Sequence, residues 1–538
     1  MNAQPPTDPI RDEDVRVGSY SLETLTTGMY EEPLHCVREY VQNAFDAIRS
    51  ARATGLLSDA AGLVTIAISG SAKRPTLSIK DDGEGIPSAI AATTLVSIGA
   101  SRKRSAINAG FRGIGRLAGI AYCTTLRFTT SARGEDKATV VEFDCGKMRG
   151  YMRPGADVQD VVDVMVRCAT TGTRAAAVND HFTEVEMIGL NGIGVEFAEI
   201  DRLVPYLRQV CPTDYSDRFT PAPKIRAFAT SLGHPLAFVE IETRYKREKN
   251  QILKAYDDSA PTKGKTSIIT DVELINSAEL GWHGWIGLSN FKGEIIDDTV
   301  AGIRFRIKNI QVGGSDIIED LGADLTVGGT EGRLQRWAVG EIFITDPAVV
   351  PNARRDGFED GTRWREIRAD IRARVARRVV TLVRNASTSR KTLKSIQTDA
   401  RGVSIQLNRE WIDEETAGKI SDSIDKLLVR LRSDKLTGGE PNEVGEQVSK
   451  LKEMKDKLVE LRNRPRPEPD PEPEPDAEPE PESGEAESGD DGARSSFGDW
   501  PSNALLNALM EVLTEEFGDD EAQRLIGLAC GLLETREQ

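Results

Sequence analysis

The stretch Glu39-Tyr40-Val41-Gln42-Asn43-Ala44-Phe45-Asp46 constrains this chain more than any other. Glu39, Asn43 and Asp46 stand at i, i+4 and i+7, which on a helix stacks three polar groups on one face. Val37, Val41, Ala44 and Ile48 fall on the opposite face, apolar enough to pack on a sheet. The pattern predicts a helix over 31–52, ended near Gly55. By periodicity alone, a plain solvated face is the better reading of these polar groups.

Two glycine motifs follow. Residues 77–87 read as a short strand running into an acidic glycine turn, Asp81-Asp82-Gly83-Glu84-Gly85-Ile86, and Gly110-Phe111-Arg112-Gly113-Ile114-Gly115 opens an apolar segment. A carboxylate-and-amide helix, an acidic glycine turn and a second glycine loop, in that order, resemble the GHKL ATPases: gyrase, the ninety-kilodalton heat-shock chaperones, histidine kinases and MutL. The resemblance spans about residues 17–190. It implies an α+β fold with a Bergerat-type ATP-binding α/β sandwich, and hydrolysis of ATP with Mg2+.

The resemblance also implies roles for single residues. Glu39 polarises the attacking water, and Asn43 offers a neutral amide oxygen to the metal. Asp81 accepts from the adenine amino group. Gly83, Gly85 and Ile86 form the turn that approaches the base, and Asp46 joins the hydrogen-bond network under the nucleotide. Gly110, Gly113 and Gly115 present amides to phosphate oxygens. The segment 97–105, with Ser101 and Lys103 in its basic run, corresponds to the lid over the nucleotide. Thr183 corresponds to the threonine that supports the adenine-binding aspartate.

Other nucleotide-binding designs are absent. There is no G-x-x-x-x-G-K-[ST] and no Rossmann fingerprint. Six cysteines without CxxC spacing and four scattered histidines argue against zinc and for isolated buried thiols. No stretch is apolar and long enough for a signal peptide or a membrane span, so a cytoplasmic chain without membrane contact is expected. The net charge of −17 is concentrated at one end. Residues 467–538 hold 21 acids and three bases, a balance of −18, which leaves +1 on the preceding 466 residues. A neutral body does not exclude anionic ligands.

In chain order, 1–16 is expected to be disordered and 17–215 to form the ATPase domain. Its strands are expected at 63–68, 77–80, 124–129, 138–143 and 161–166. The segment 17–33 resembles one that crosses between subunits in the chaperones, implying a homodimer when ATP is bound. A second, α/β middle domain is expected over 221–386, with strands at 238–243, 267–272, 285–289 and 303–310. Val350-Pro351-Asn352-Ala353-Arg354-Arg355-Asp356 resembles the chaperone middle-domain loop that sends an arginine to the γ-phosphate, and Arg355 and Arg354 both fit it.

A helix over 362–383 carries Trp364, Ile367, Ile371, Val375, Val379 and Leu382 on one side and arginines on the other. Residues 354–394 hold 13 bases and five acids, so DNA is a possible partner. Residues 400–463 contain a helical hairpin with a Gly/Pro turn, in the manner of an antiparallel coiled coil. A disordered Pro/Glu-rich spacer follows over 464–496, then a small helical module over 497–538 suited to a protein partner. A chaperone-like cycle and a MORC- or MutL-like clamp on DNA both fit this layout.

Overall fold

The computed structural model describes residues 17–26, 32–99, 113, 115–153, 155–157, 160–326, 329–409, 411–432 and 441–464. All of them belong to the first of the two units into which the chain divides, Met1–Arg466 and Pro467–Gln538. The expected N-terminal tail, Pro/Glu spacer, terminal helical module and hairpin turn lie outside the described residues. So do Ser101, Lys103 and Gly110.

The first layer opens with α1 (Tyr20–Thr26) and α2 (His35–Ala53). Helix α2 starts later than the sequence pattern predicts, because Glu32 precedes Pro33 and is disfavoured in the α region. It ends as expected, with the Thr54 amide donating to the Ser50 carbonyl and the amide of Gly55, at φ +73°, donating to the Arg52 carbonyl. Strands β1 (Leu63–Ser71) and β2 (Arg74–Asp81), helix α3 (Ser88–Val96) and strands β3 (Cys123–Ser131) and β4 (Lys137–Asp144) come next. Then follow α4 (Cys145–Tyr151), α5 (Val161–Cys168), β5 (Ala169–Ala175), β6 (Phe182–Leu190), α6 (Ile200–Val210) and α7 (Ala222–Ser231).

Residues 161–166 are thus helical rather than extended. Their β-branched content favours a strand, but the Asp160 carboxylate caps the Val162 amide at 2.7 Å. Burial then follows a helical period, with Val164, Met165 and Cys168 inside and Val162 and Val166 out.

Strands β7 (Glu240–Tyr245) and β8 (Glu248–Gln251) complete an eight-stranded sheet of order β5-β4-β3-β6-β2-β1-β7-β8. The sequence reading assigned 238–243 to the second domain. The segment instead pairs in parallel with β1, Leu63 opposite Glu240 and Ile66 opposite Thr243. The first layer therefore reaches beyond residue 221, with α7 as an interruption.

Val37, Tyr40, Val41, Ala44, Phe45 and Ile48 of α2 pack on Val64, Ile66, Leu77, Ile79, Leu126, Phe128 and Met187. The Val, Ile, Leu, Phe and Met side chains among them each contribute roughly 1.5–3 kcal/mol when fully buried. On β2 the inward positions are Pro75, Leu77, Ile79 and Asp81. Alternation along this apolar face therefore delivers one carboxylate at its end.

The second sheet has the order β13-β12-β14-β11-β10-β9. Its strands are β9 (Ser259–Thr262), β10 (Lys265–Ser277), β11 (Trp282–Ser289), β12 (Gly302–Ile307), β13 (Ile310–Val312) and β14 (Val339–Ile344), with α8 (Asp316–Ala323) before β14. The strand expected over 303–310 is a hairpin, because Lys308 and Asn309 both adopt positive φ and turn the chain.

One face of this sheet, with Ile303, Phe305 and Ile342, packs on Ile367, Ile371, Val375 and Val379 of the long helical segment. That segment is α9 (Thr362–Ile371), a π turn (Arg372–Ala376) and α10 (Arg377–Gln406). A stripe spaced every four residues drifts round an α-helix of 3.6 residues per turn, and the wider i→i+5 turn takes up the drift.

On the other face Glu341 is fully buried. It meets Lys254 Nζ at 3.0 Å, the Trp285 indole nitrogen at 3.3 Å, the Arg306 guanidinium and the Tyr215 hydroxyl. Burial, with Arg306 adding to it, lowers Lys254 to about 7. Burial opposes the charged form of Glu341 as well, but Arg306 and Lys254 outweigh it and hold the carboxyl below its ordinary value.

Helices α11 (Glu414–Leu431) and α12 (Pro441–Arg462) do not stand alone as a two-armed coil. Leu393, Ile396, Ala400 and Val403 of α10 join Ile420, Ile424, Leu427, Leu451 and Leu458 in one core, so the unit is a three-helix bundle.

Candidate functional site

Helix α2 carries three faces. The apolar one rests on the sheet. A second, Glu39, Asn43, Ala47 and Ser50, looks toward the two glycine motifs. A Cβ placed on Gly115 would overlap Glu39 Oε2, and one on Gly83 would come within 2.6 Å of Ala47 Cβ. The Ser50 hydroxyl donates to Glu84 Oε2 at 2.6 Å. Glycine at 83 and 115 is therefore demanded by close approach to this helix, not by a turn alone. Asn43 is half-buried between these contacts.

Asp81 is buried at the end of β2, where its Oδ1 accepts from the Gly83 amide at 2.9 Å. Directly across the sheet from it is Thr183. The Thr183 hydroxyl lies 3.1 Å from that of Thr130, which donates to the Phe182 carbonyl and accepts from the Ile86 amide, both at 2.9 Å. Gly85, at φ +67°, leaves no room for a Cβ against the Ser131 carbonyl. Asp81, Gly83, Gly85, Ile86 and Thr183 are thus brought together in one corner. The sequence reading missed two members of that corner: Thr130, and His181, whose Nδ1 lies 2.8 Å from the Gly83 carbonyl.

Gly113, at φ +73°, leads into a 3-10 turn, Gly115–Ala121, beside α2. Tyr40 fixes that turn by donating to the Arg116 carbonyl at 3.0 Å and accepting from the Gly119 amide at 2.9 Å. Burial first, then neighbouring thiols, raises the phenol well above its ordinary value, so it stays protonated as the donor. The sequence reading gave Tyr40 no role.

The second domain reaches the same helix. A loop closed by the Pro351–Phe358 bridge places Arg355 at φ +59°. Its Nε stands 2.8 Å from Glu39 Oε1, both side chains buried. The pair is ionic without hydrogen-bond alignment. Arg354 is exposed, and its carbonyl accepts from Arg38 Nη2 at 3.2 Å. Lys308, which the sequence reading passed over, sits at the β12–β13 turn, within the electrostatic reach of Asp46 and Arg355.

A buried carboxylate at a strand end, a carboxylate and amide one turn apart on the covering helix, and glycines at every close approach define a nucleotide-binding α/β sandwich. Residues 30–153 match the family model of the histidine kinase-, DNA gyrase B-, and HSP90-like ATPases, which makes this a GHKL-type ATPase domain. No curated protein matches the chain. No described helix is long and apolar enough to cross a membrane.

Proposed function

We propose that this chain hydrolyses Mg-ATP and couples hydrolysis to a heat-shock-type, chaperone-like conformational cycle. The observation that carries the proposal is the burial of Arg355, from the second domain, against Glu39 on α2. In this reading Asp81 accepts from the adenine amino group, supported by Thr183, and the Gly113 and Gly115 amides face the phosphates. Glu39 orients and polarises the attacking water, and Arg355 balances charge developing on the γ-phosphate.

Asn43 suits Mg2+, since a single neutral oxygen is compatible with an ion that keeps waters and takes phosphate oxygens. When bound, the metal neutralises charge on the transferring phosphoryl group. Pairing of two chains on ATP binding, with 497–538 as a segment for a protein partner, belongs to the same proposal.

A DNA clamp is the second reading, favoured by the basic segment 354–394. Much of that charge is already matched within the chain. Arg363 meets Asp346 at 2.6 Å, Arg365 meets Asp360 at 2.6 Å, Arg378 meets Glu273 at 2.8 Å, and Arg368 meets Asp324 at 3.2 Å. Matched arginines release fewer counterions from DNA. Measuring ATP turnover with duplex DNA and with an unfolded protein separates the two readings. Stimulation by the unfolded protein is expected. Stimulation by DNA that falls steeply with salt would replace the chaperone-like reading with the clamp.

A further inference from the structure

One loop of the second domain touches α2 on two faces. Arg355 reaches Glu39, and the Arg354 carbonyl accepts from Arg38 on a third face, where Arg38 and Gln42 are buried and His35 is half-buried. Both contacts depend on where the loop lies. Within the loop, the Arg355 amide donates to the Asn352 carbonyl at 3.2 Å, and Asn352 Nδ2 donates to Asp356 Oδ1 at 2.5 Å. These bonds shape the loop without attaching it to the rest of its domain. The left-handed φ of +59° at Arg355 is unfavourable for a residue with a Cβ, and persists only where surrounding contacts impose it.

The attachment comes from the end of β13. The Gly313 amide donates to the Arg355 carbonyl at 2.9 Å. Gly313, at φ +63°, lies so close to the following peptide that a Cβ there would come within 2.6 Å of the Asp356 carbonyl oxygen. Gly313 is held in its turn by Gln311, whose Nε2 donates to the Gly313 carbonyl at 2.7 Å. The Gln311 side chain is buried, and its Oε1 has no hydrogen-bond partner among the described residues. A buried amide with an unpaired acceptor costs stability, so packing alone does not account for a glutamine here. The strand that carries it is pinned to the first layer. Arg306, opposite Gln311 in the hairpin, donates through Nη2 to the Gln209 carbonyl of α6 at 2.9 Å and pairs with buried Glu341. Asn309 Nδ2 donates to the Ala237 carbonyl at 3.0 Å, and Ile310 packs in the first layer's core. A continuous chain of contacts thus runs from the first layer through Arg306, Gln311 and Gly313 to Arg355, and back to Glu39.

We propose that Gln311 is a positioning residue for ATP turnover: by fixing the Gly313 carbonyl it holds the Gly313 amide on the Arg355 carbonyl, and so keeps the Arg355 guanidinium at Glu39. This rests on the ATPase reading of the site. Gln311 acts only through Arg355. Without its bond the loop is left to find its place at each turnover, which slows the chemical step rather than nucleotide binding.

The test uses the full-length chain and three variants, Gln311→Met, Arg355→Ala and the two combined, in steady-state ATP kinetics. Methionine keeps the length of the side chain and removes both the donor and the unpaired acceptor, so thermal unfolding should move little. Gln311→Met is expected to lower kcat roughly 10- to 100-fold, the scale of a misplacement of about 1 Å, with KM little changed. In the Arg355→Ala background the same substitution should cost nothing further, because the group it positions is gone. Hydrogen exchange without nucleotide gives a readout independent of turnover: the Gly313 amide and the loop 352–358 should exchange faster in Gln311→Met. Wild-type kcat or wild-type exchange in Gln311→Met would overturn the assignment, as would an equal loss of rate with and without Arg355. A wild-type chain that turns over no ATP removes the ATPase reading instead, and the exchange rates still decide whether Gln311 holds the loop.

Discussion

Replacing Glu39 by alanine should cut ATP turnover severely while ATP binding persists. The carboxylate sits where the Gly115 backbone grazes it and where Arg355 meets it, not in the Asp81 corner that would hold the base. Loss of a positioned base costs typically 10²- to 10⁴-fold in rate, so residual turnover in that range is expected. Truncation also strands the buried Arg355 charge, which is destabilising in its own right. Glu39→Gln keeps the shape and a polar partner for the guanidinium, and should be folded, competent to bind ATP and nearly inactive. Phosphate release and nucleotide binding measured on both variants check this. Turnover at the wild-type rate in Glu39→Gln would remove Glu39 from the chemistry.

The second large effect is expected at Arg355, and it can be separated from backbone strain. A non-glycine residue in the left-handed region pays roughly 1–2 kcal/mol, and Arg355 stands there at φ +59°. Arg355→Gly should therefore ease the loop while removing the charge. Thermal unfolding of Arg355→Gly is expected at or above that of Arg355→Ala. Both should lose about 10²- to 10³-fold in kcat, the usual loss for one preorganised charge-stabilising donor. Arg354→Ala should turn over like wild type, because Arg354 contributes its backbone carbonyl to Arg38 and its side chain is exposed. An Arg354→Ala defect as large as that of Arg355→Ala would reverse the two roles.

What could be read in the sequence was what lies close together along it. The α2 pattern, the Asp81 turn and the Gly113–Gly115 loop are each contiguous, and each chemical requirement falls within a dozen residues. Thr183 needed a register, yet it follows from one strand pairing. Most of the third face of α2 was invisible, because a stripe of His, Arg and Gln looks solvated until something covers it. Lys308 was hidden in an alternating strand pattern, Ile303-Arg304-Phe305-Arg306-Ile307, whose break is a two-residue turn signalled only by Lys-Asn between isoleucines. The strand Glu240–Tyr245 was assigned to the wrong sheet, since its partner β1 lies far upstream and α7 intervenes. A fragment cut at residue 220 would lose that strand, so its inactivity would not report on Arg355. The third helix of the bundle escaped notice because α10 serves two cores, Val379 and Val383 in one and Leu393 and Ile396 in the other.

Whether the corner around Asp81 holds adenine decides everything built on it. Titrating ATP with Mg2+ into the full-length protein and into Asp81→Asn, by calorimetry, addresses that alone, without requiring turnover. The wild type should bind ATP. Asp81→Asn should bind it undetectably, since an amide replaces the acceptor for the adenine amino group and upsets the bond to the Gly83 amide. Equal binding by the two proteins, or none by the wild type, would show that ATP is not held by this corner.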